Sequence, residues 1–221
     1  MKLFAVILSL TLACVANSAY AQSNFGIEIG GVYNGAIASN VEIKPKMSYR
    51  LGGFVNYDDT WGSGIYFVKK AAKMSEFIPQ YADYIQKMDV AMNYIELVPL
   101  SVRLKPVNLN SNFTLTPVLS LYGAYGFSGS GTLTGIGESN GVFEKTIDNV
   151  FKDEQFSINN TAYSYKGFKS FDTGGKLGFD LTAQSKYIFR MNWSVGLINL
   201  SSYDKKLQTN SFDLSFCYLF K

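Results

Sequence analysis

Charged side chains at alternate positions of otherwise apolar segments are the residues of this sequence best placed to interact chemically. The eight that recur in this way are Glu28, Arg50, Glu96, Arg103, Lys176, Asp180, Arg190 and Asp213. They comprise four acids and four bases, so on one face of a sheet they could neutralise one another as ion pairs. The pattern predicts a balanced charge network.

Histidine, the commonest general base near neutral pH and the commonest metal ligand, is absent from the 221 residues. Of the two cysteines, Cys14 lies in a leader that we expect to be removed, which leaves Cys217 without a disulfide partner. Catalysis of the kind that uses a histidine base is therefore excluded. We expect no enzymatic activity, no metal and no other cofactor.

Two further motifs are weak signals for a site. Asp58 and Asp59 form a carboxylate pair of the kind that glycoside hydrolysis uses, but adjacent acids in a turn more often simply form the turn. The glycine-rich stretch from Gly129 to Gly137 lacks the Gly-Lys-Ser/Thr ending of a phosphate-binding loop. We interpret it as a flexible loop.

The composition favours one large apolar domain. Hydrophobic residues make up 47% of the chain and aromatic residues 15%, whereas charged residues make up only 17%, against roughly 25% in ordinary soluble domains. The net charge of +3 is spread along the chain without a basic run, so we expect no nucleic-acid partner.

The first residues are typical of a secretory leader. Lys2 is followed by an apolar run from Leu3 to Ala16, and Ala19 and Ala21 fit the small-x-small cleavage pattern. We expect residues 1–21 to be the leader and 22–221 the mature domain. A membrane anchor and a lipoprotein signal at Cys14 are the weaker alternatives, because the run is short of the roughly 20 residues of a span and Thr11 stands where a lipoprotein signal wants an aliphatic residue.

From Gln22 onward the hydrophobic pattern has a period of two, which is typical of strands. In 209–220, for example, Phe212, Leu214 and Phe216 alternate with Asp213 and Ser215. The eight predicted strands are 24–34, 47–57, 62–73, 91–105, 112–127, 171–183, 186–200 and 209–220. Each has about the 9–11 residues that a tilted membrane strand needs.

The connections between these segments distinguish two classes of barrel. Long or medium gaps (35–46, 74–90, 128–170 and 201–208) alternate with tight ones (58–61, 106–111 and 184–185). Such asymmetry is typical of outer-membrane barrels, with short periplasmic turns and long external loops. We predict an all-β, eight-stranded antiparallel up-and-down transmembrane β-barrel. A soluble antiparallel barrel, whose apolar face would turn inward, is the alternative.

If the polar face points inward, the eight charges fall inside a barrel that side chains just fill. We expect them to pair and close the lumen, although two or three could instead lie solvated at the rims. Glu96 faces inward only if its strand carries a bulge, which Val98 and Pro99 favour because proline cannot donate to a ladder.

The longest connections and the strand ends carry further patterns. Apolar residues at helical spacing predict short helices over 75–89 and 140–154, which we expect to pack on the barrel rim. Six aromatic residues fall at the predicted periplasmic strand ends, where an aromatic girdle belongs: Phe25, Tyr57, Trp61, Phe113, Tyr187 and Phe220.

Several stretches together resemble the outer-membrane β-barrel domain family common in Bacteroidetes, also called the porin family or PorT-like barrels. They are Gly26 to Gly31, Gly64 to Lys70, Asn93 to Leu100 and Gly174 to Phe179. The family tends to carry Tyr-x-Glu-x-Pro-Leu in the fourth strand. This sequence has Tyr94-Ile95-Glu96-Leu97-Val98-Pro99-Leu100 there, so Val98 is one residue more than the motif contains. The resemblance implies an integral outer-membrane protein of a Gram-negative bacterium without an assigned chemistry.

The final strand is similar to those of outer-membrane barrels in ending on alternate aromatic residues, Phe216, Tyr218 and Phe220. The resemblance implies that the barrel assembly machinery reads them, although Lys221 follows the last aromatic. Outer-membrane lipid and lipopolysaccharide are the surroundings we expect.

We expect a structural or surface-interaction role, with extracellular partners at 74–90 and 128–170. The alternatives are a narrow channel for solutes or ions, a PorT-like secretion helper, and a soluble periplasmic barrel that encloses an apolar ligand.

Overall fold

The computed structural model describes residues 23–38, 42–57, 59–75, 85–137, 141–158, 161–202 and 206–220, and every regular element there is a strand. The strands are β1 Asn24–Ala38, β2 Glu42–Asn56, β3 Trp61–Ser75, β4 Ile85–Arg103, β5 Val107–Asn108, β6 Phe113–Gly137, β7 Gly141–Ile147, β8 Glu154–Ile158, β9 Thr161–Tyr165, β10 Phe171–Ala183, β11 Tyr187–Gly196 and β12 Leu207–Phe220. The predicted leader, with Ala19 and Ala21, lies outside the described residues and stays a prediction.

Eight of these strands form a closed antiparallel ring in the order β1, β2, β3, β4, β6, β10, β11 and β12, and β12 pairs with β1. The paired residues can be followed round the ring from Asn24 on β1 through Asn56, Gly62, Ser101, Ser120, Lys176, Ser194 and Ser211. The path returns to β1 at Asn34, ten residues further along. Such a stagger tilts the strands against the barrel axis. The prediction of an all-β, eight-stranded, up-and-down barrel is confirmed.

The apolar face of the barrel wall points outward. On β12 the side chains of Phe212, Leu214, Phe216 and Phe220 are exposed, whereas Asp213 and Ser215 between them are buried. The same alternation runs along β1, where Ile27 and Ile29 are exposed and Glu28 is buried. The soluble-barrel alternative required the apolar face to line the interior, and the opposite arrangement is found.

Inward-facing glycines make room for the large interior side chains. A Cβ at Gly26 would meet the ring of Phe54, and a Cβ at Gly52 or Gly64 would meet the ring of Tyr66. Pairing small positions with large ones is how a narrow barrel fills its interior without voids.

The strands of the wall extend further at the end opposite the short turns than the predicted strand bounds allowed. β1 and β2 leave only residues 39–41 between them, so most of the predicted connection 35–46 is strand. The predicted loop 74–90 likewise falls partly in β3 and β4. The strict alternation of long and short connections is therefore wrong at the first connection. Hydrogen-bonded ladders continue past the apolar band because antiparallel pairs keep bonding wherever their backbones stay adjacent.

The predicted loop 128–170 is also largely strand. β6 runs on to Gly137 and pairs with β7, and β8 pairs with β9 in a separate hairpin. Gly129 and Gly131 lie beneath Val150, while Ser130 between them is exposed. The glycines thus mark a close approach, and the flexible-loop interpretation is wrong.

The helix predicted over 140–154 is wrong, whereas most of the residues on which the helix over 75–89 was predicted lie outside the described part of the chain. Residues 85–89 belong to β4, and 141–147 form β7, whose Phe143 and Ile147 point into a core on a strand's period of two. Residues 76–84 and 138–140 lie outside the described part of the chain. The apolar residues at helical spacing in 140–154 therefore come from β7 and the turn that follows it.

An apolar core closes the end of the barrel opposite the short turns. We call it the apolar cap, and its fully buried members are Met74, Met88, Leu133, Ile147, Val150, Tyr165, Phe168, Leu200 and Leu207. A backbone bond fastens it to the wall, because Val150 donates to Gly129 on β6 at 3.0 Å, and a second bond within the cap runs from Phe168 to Val150 at 2.8 Å.

The part of the chain that the structure describes contains no helix of the length and apolarity needed to cross a membrane.

Candidate functional site

The eight charged residues singled out from the sequence lie in the barrel interior. Seven of them are less than a tenth exposed, and Arg103 lies at the short-turn end with its side chain 11% exposed. The register of β4 shifts between Leu97 and Leu100, so a bulge at Pro99 turns both Glu96 and Arg103 inward. The bulge predicted from Val98 and Pro99 is confirmed.

Arg50 occupies the centre of the interior. Its Nε lies 2.7 Å from Glu28 Oε1 and its Nη1 lies 2.6 Å from Glu96 Oε1. Lys176 shares the second carboxylate at 2.7 Å from Oε1. Asp213 Oδ2 lies within 3.7 Å of Arg50 and 3.6 Å of Lys176. Two cations and three carboxylates thus form one cluster.

Arg190 links this cluster to the short-turn end. Its Nη1 lies 2.7 Å from Glu28 Oε2, and its Nε and Nη2 donate to the two oxygens of Asp180 at 2.7 and 2.9 Å. Arg103 reaches the same Asp180 carboxylate at 3.2 Å. All eight residues therefore belong to one continuous chain of ion pairs, which we call the charge network.

Register explains only part of this network. Asp180 and Arg190 are direct partners on β10 and β11. Glu28 and Arg50 are diagonal neighbours on the adjacent strands β1 and β2. The remaining contacts join strands that are not neighbours in the ring, as between Glu28 and Arg190 or between Lys176 and Glu96. These contacts depend on the curvature of the closed wall, which no local spacing in the sequence specifies.

A further ion pair lies beside the network, towards the cap. Lys70 Nζ is 2.7 Å from Asp172 Oδ2, and the same oxygen accepts hydrogen bonds from Tyr122 and Thr209 at 3.2 and 2.8 Å. The sequence-based set did not include this pair. In the sequence Lys70 follows Lys69, and the two lysines look like the charged end of a strand. In the structure Lys70 points inward from β3, on the same face as Tyr66 and Val68.

Aromatic rings hold the cations from the side. The guanidinium carbon of Arg50 lies 3.5 Å from the centre of the Tyr66 ring, and that of Arg190 lies 4.9 Å from the Phe54 ring. The Tyr122 ring lies 5.3 Å from Lys176 and 5.2 Å from Lys70, so it joins the network to the second pair. Cation–π contacts of this kind are strongest where water is excluded.

The interior has little free space between these layers. A cavity of about 20 Å³ adjoins Arg50, Tyr66 and Lys176, and another of about 30 Å³ lies between Lys70 and the apolar cap. Each has room for about one or two water molecules. A wider recess of about 380 Å³ opens at the short-turn end and is lined by Arg103, Asn56 and Asp59.

The closed interior predicts the electrical behaviour of the purified protein. In a planar lipid bilayer we expect no resolvable single-channel steps, because the network and the cap both obstruct the lumen. Stable steps whose size or ion preference changes in Arg190→Glu would contradict this expectation and favour the narrow channel. The same preparation should first show folded protein by its mobility on an unheated gel.

The described residues offer no group of three or more carboxylate or thiol side chains that could hold a metal ion. The carboxylates of the interior are instead engaged with arginine or lysine. Asp59 lines the exposed recess, and its neighbour Asp58 lies outside the described residues. Cys217 is a free, fully buried thiol.

Aromatic residues mark both ends of the apolar band. At the short-turn end Phe25 pairs with Phe220, and the Tyr187 ring contacts Phe216 and Tyr218 at 6.0 and 5.6 Å. At the other end a second row includes Tyr33, Tyr49, Phe67, Phe127, Trp193 and Phe212. Phe216, Tyr218 and Phe220 all point outward, and their use as an assembly signal stays a prediction.

Comparisons with known proteins find distant structural likenesses. The attachment invasion locus protein Ail of Yersinia pestis has 11% identity and a TM-score of 0.47, over 90% of this chain and 99% of that one. The outer membrane protein OprG of Pseudomonas aeruginosa has 13% identity and a TM-score of 0.46, over 92% and 98%. Neisserial surface protein A has 8% identity and a TM-score of 0.39, over 89% and 97%.

No family model and no curated protein matches the chain. With identities of 8–13% and TM-scores below 0.5, neither the location nor the role of this chain follows from the structural likenesses. The resemblance to the Bacteroidetes barrel family stays an expectation from the sequence.

Proposed function

We propose that this chain is an integral outer-membrane barrel of a Gram-negative bacterium, closed to solutes, with a structural or surface-interaction role. The observation that carries the proposal is the continuous belt of large apolar side chains on the outside of the ring. Soluble proteins rarely expose apolar patches larger than a few hundred Å². A belt that surrounds the barrel is stable only where lipid replaces water.

The height of the belt supports the same assignment. On β12 the outward apolar residues run from Phe212 to Phe220, a span of eight residues. At about 3.4 Å a residue and a tilt near 40°, that span rises about 21 Å along the barrel axis, close to the roughly 25 Å of known barrels. The two aromatic rows lie at its edges, where tyrosine and tryptophan favour the lipid–water interface.

The interior argues against a transport role. The charge network, the Lys70–Asp172 pair and the apolar cap succeed one another along the axis, and the cavities found beside them among the described residues hold about 20 and 30 Å³. The absence of histidine and the pairing of the interior acids likewise support a role without catalysis. What remains available to partners is the surface beyond the belt.

The cap end carries that surface. β7 and the β8–β9 hairpin project there, and the hairpin bears the stacked rings of Phe156 and Tyr163, 5.5 Å apart. We propose that this end faces the cell exterior, as the longer connections of outer-membrane barrels do. Elements within 74–90 and 128–170 would then contact extracellular partners, and the assembly machinery would act on the C-terminal strand.

Whole-cell labelling with a membrane-impermeant maleimide tests the location and the orientation together. Ser164→Cys places a thiol on the exposed face of β9, and Lys105→Cys places one on the connection between β4 and β5. We expect Ser164→Cys to be labelled on intact cells. Lys105→Cys should be labelled only after the outer membrane is permeabilised.

The unaltered chain is the control, because its only described thiol, Cys217, is buried and should not react. If only Lys105→Cys were labelled on intact cells, the short-turn end and not the cap end would face the cell exterior. If both variants required permeabilisation and the protein were recovered in the soluble periplasm, the membrane proposal would be wrong.

A further inference from the structure

Lysines gather on the outside of three adjacent strands, just beyond the apolar belt at the cap end. They are Lys44 and Lys46 on β2, Lys69 and Lys73 on β3, and Lys87 on β4, and we call them the lysine patch. Among the described residues, the carboxylates beside them are Glu42 and Asp89. Counted over the described part of the chain, the patch carries a surplus of three positive charges.

The patch lies at a defined height. Lys69 is two residues beyond Phe67 on β3 and shares its outward face, and Lys73 lies four residues further on. At about 3.4 Å a residue along the strand, the ammonium groups fall within about 20 Å beyond the aromatic row. The Lys69 ammonium lies 6.0 Å from the Tyr49 ring in that row. In the proposed membrane this is the headgroup layer of the outer leaflet.

The charges of the patch are incompletely balanced within the chain. Lys46 is paired with Asp89, and Lys44 lies 3.6 Å from Glu42, with both side chains about two thirds exposed. Lys44 is also the direct cross-strand partner of Lys73. Like charges in directly opposed positions destabilise a sheet. An anion bound between Lys44 and Lys73 would remove that repulsion.

Among the described strand residues compared at this height, the lysines lie on β2, β3 and β4. The corresponding outward positions on β6 carry Ser128 and Ser130, and β12 carries Asn210 there. These residues are uncharged. A general preference for polar residues at the interface would not place five lysines on β2, β3 and β4 alone.

We propose that the lysine patch binds the phosphate groups of a phosphorylated lipid of the outer leaflet, the class that includes lipopolysaccharide. This inference rests on the proposed membrane location. Basic residues next to an anionic membrane surface attract its headgroups, and the attraction falls off within a Debye length. The tyrosine and phenylalanine of the aromatic row would contact the acyl chains of the same lipid.

Spin-labelled lipids provide the test in reconstituted protein. The full chain is folded into phosphatidylcholine vesicles, and electron paramagnetic resonance measures the relative association of labelled phosphatidic acid and labelled phosphatidylcholine. We expect the unaltered protein to prefer phosphatidic acid. In Lys69→Gln/Lys73→Gln that preference should fall by about fivefold or more, as the loss of two cations at a charged membrane surface implies.

The matched control is Lys152→Gln/Lys166→Gln, which removes the same charge from exposed positions on the cap, and it should keep the preference. An equal loss in both variants, or displacement of the labelled lipid by inorganic phosphate at constant ionic strength, would overturn the assignment. Folded, inserted protein without any preference would overturn it too. Protein that fails to insert would instead contradict the membrane proposal on which the inference rests.

Discussion

Replacing Arg50 with glutamine will lower the free energy of unfolding by about 3–5 kcal/mol, the usual cost of removing one partner of a buried ion pair. Arg50 bonds Glu28 and Glu96 at 2.7 and 2.6 Å in the centre of the network. Without it both carboxylates lose their central cation and stay buried. Urea unfolding of the reconstituted protein, followed by tryptophan fluorescence, measures the change.

A double-mutant cycle separates this pairing from a simple loss of volume. Glu96→Gln combined with Arg50→Gln should cost less than the sum of the single changes, because the double variant no longer buries the carboxylate that Arg50 neutralised. Lys105→Gln, at an exposed site, should change stability by less than about 0.5 kcal/mol. Additive costs for Arg50 and Glu96 would show that the two groups do not interact in the folded protein.

Replacing Leu214 with arginine will destabilise the inserted protein by about 1–3 kcal/mol, because an arginine between the edge and the midplane of a bilayer is poorly solvated. Leu214 is 53% exposed on β12, midway between Phe212 and Phe216 in the apolar belt. In water such an exposed leucine would tolerate the change within about 0.5 kcal/mol. The measurement is again the unfolding free energy in vesicles.

Leu109→Arg is the matched control, since Leu109 is 57% exposed in the short connection below the belt. It should leave the stability and the yield of inserted protein unchanged. If Leu214→Arg were equally neutral, the outer face of β12 would be in contact with water. If both substitutions were equally harmful, the cost would not come from lipid.

The sequence allowed the barrel itself to be predicted, because its wall follows a period of two in which apolar side chains point outward and charged or small side chains point inward. Along β12 every second residue from Phe212 to Phe220 is apolar, and every second one from Ser211 to Cys217 is small or polar. The same alternation brought Glu28, Arg50 and Arg190 onto one face. Even the bulge at Pro99 could be predicted, because proline cannot donate to a ladder.

The strands beyond the belt could not be predicted in the same way. There the two faces no longer differ clearly in polarity, as where Gly129 and Gly131 alternate with serines. The apolar cap has the opposite pattern, with Met74, Met88 and Leu133 pointing inward. The partnership of Lys70 with Asp172 joins residues about a hundred positions apart, and it exists only once the ring has closed.

Fractionation of the cell envelope, with gel mobility compared before and after boiling, tests the central claim most directly. The account predicts recovery with the outer membrane and a folded band that shifts on heating, as expected of a closed barrel embedded in lipid. Recovery in the soluble periplasmic fraction, with a mobility that boiling does not change, would contradict it.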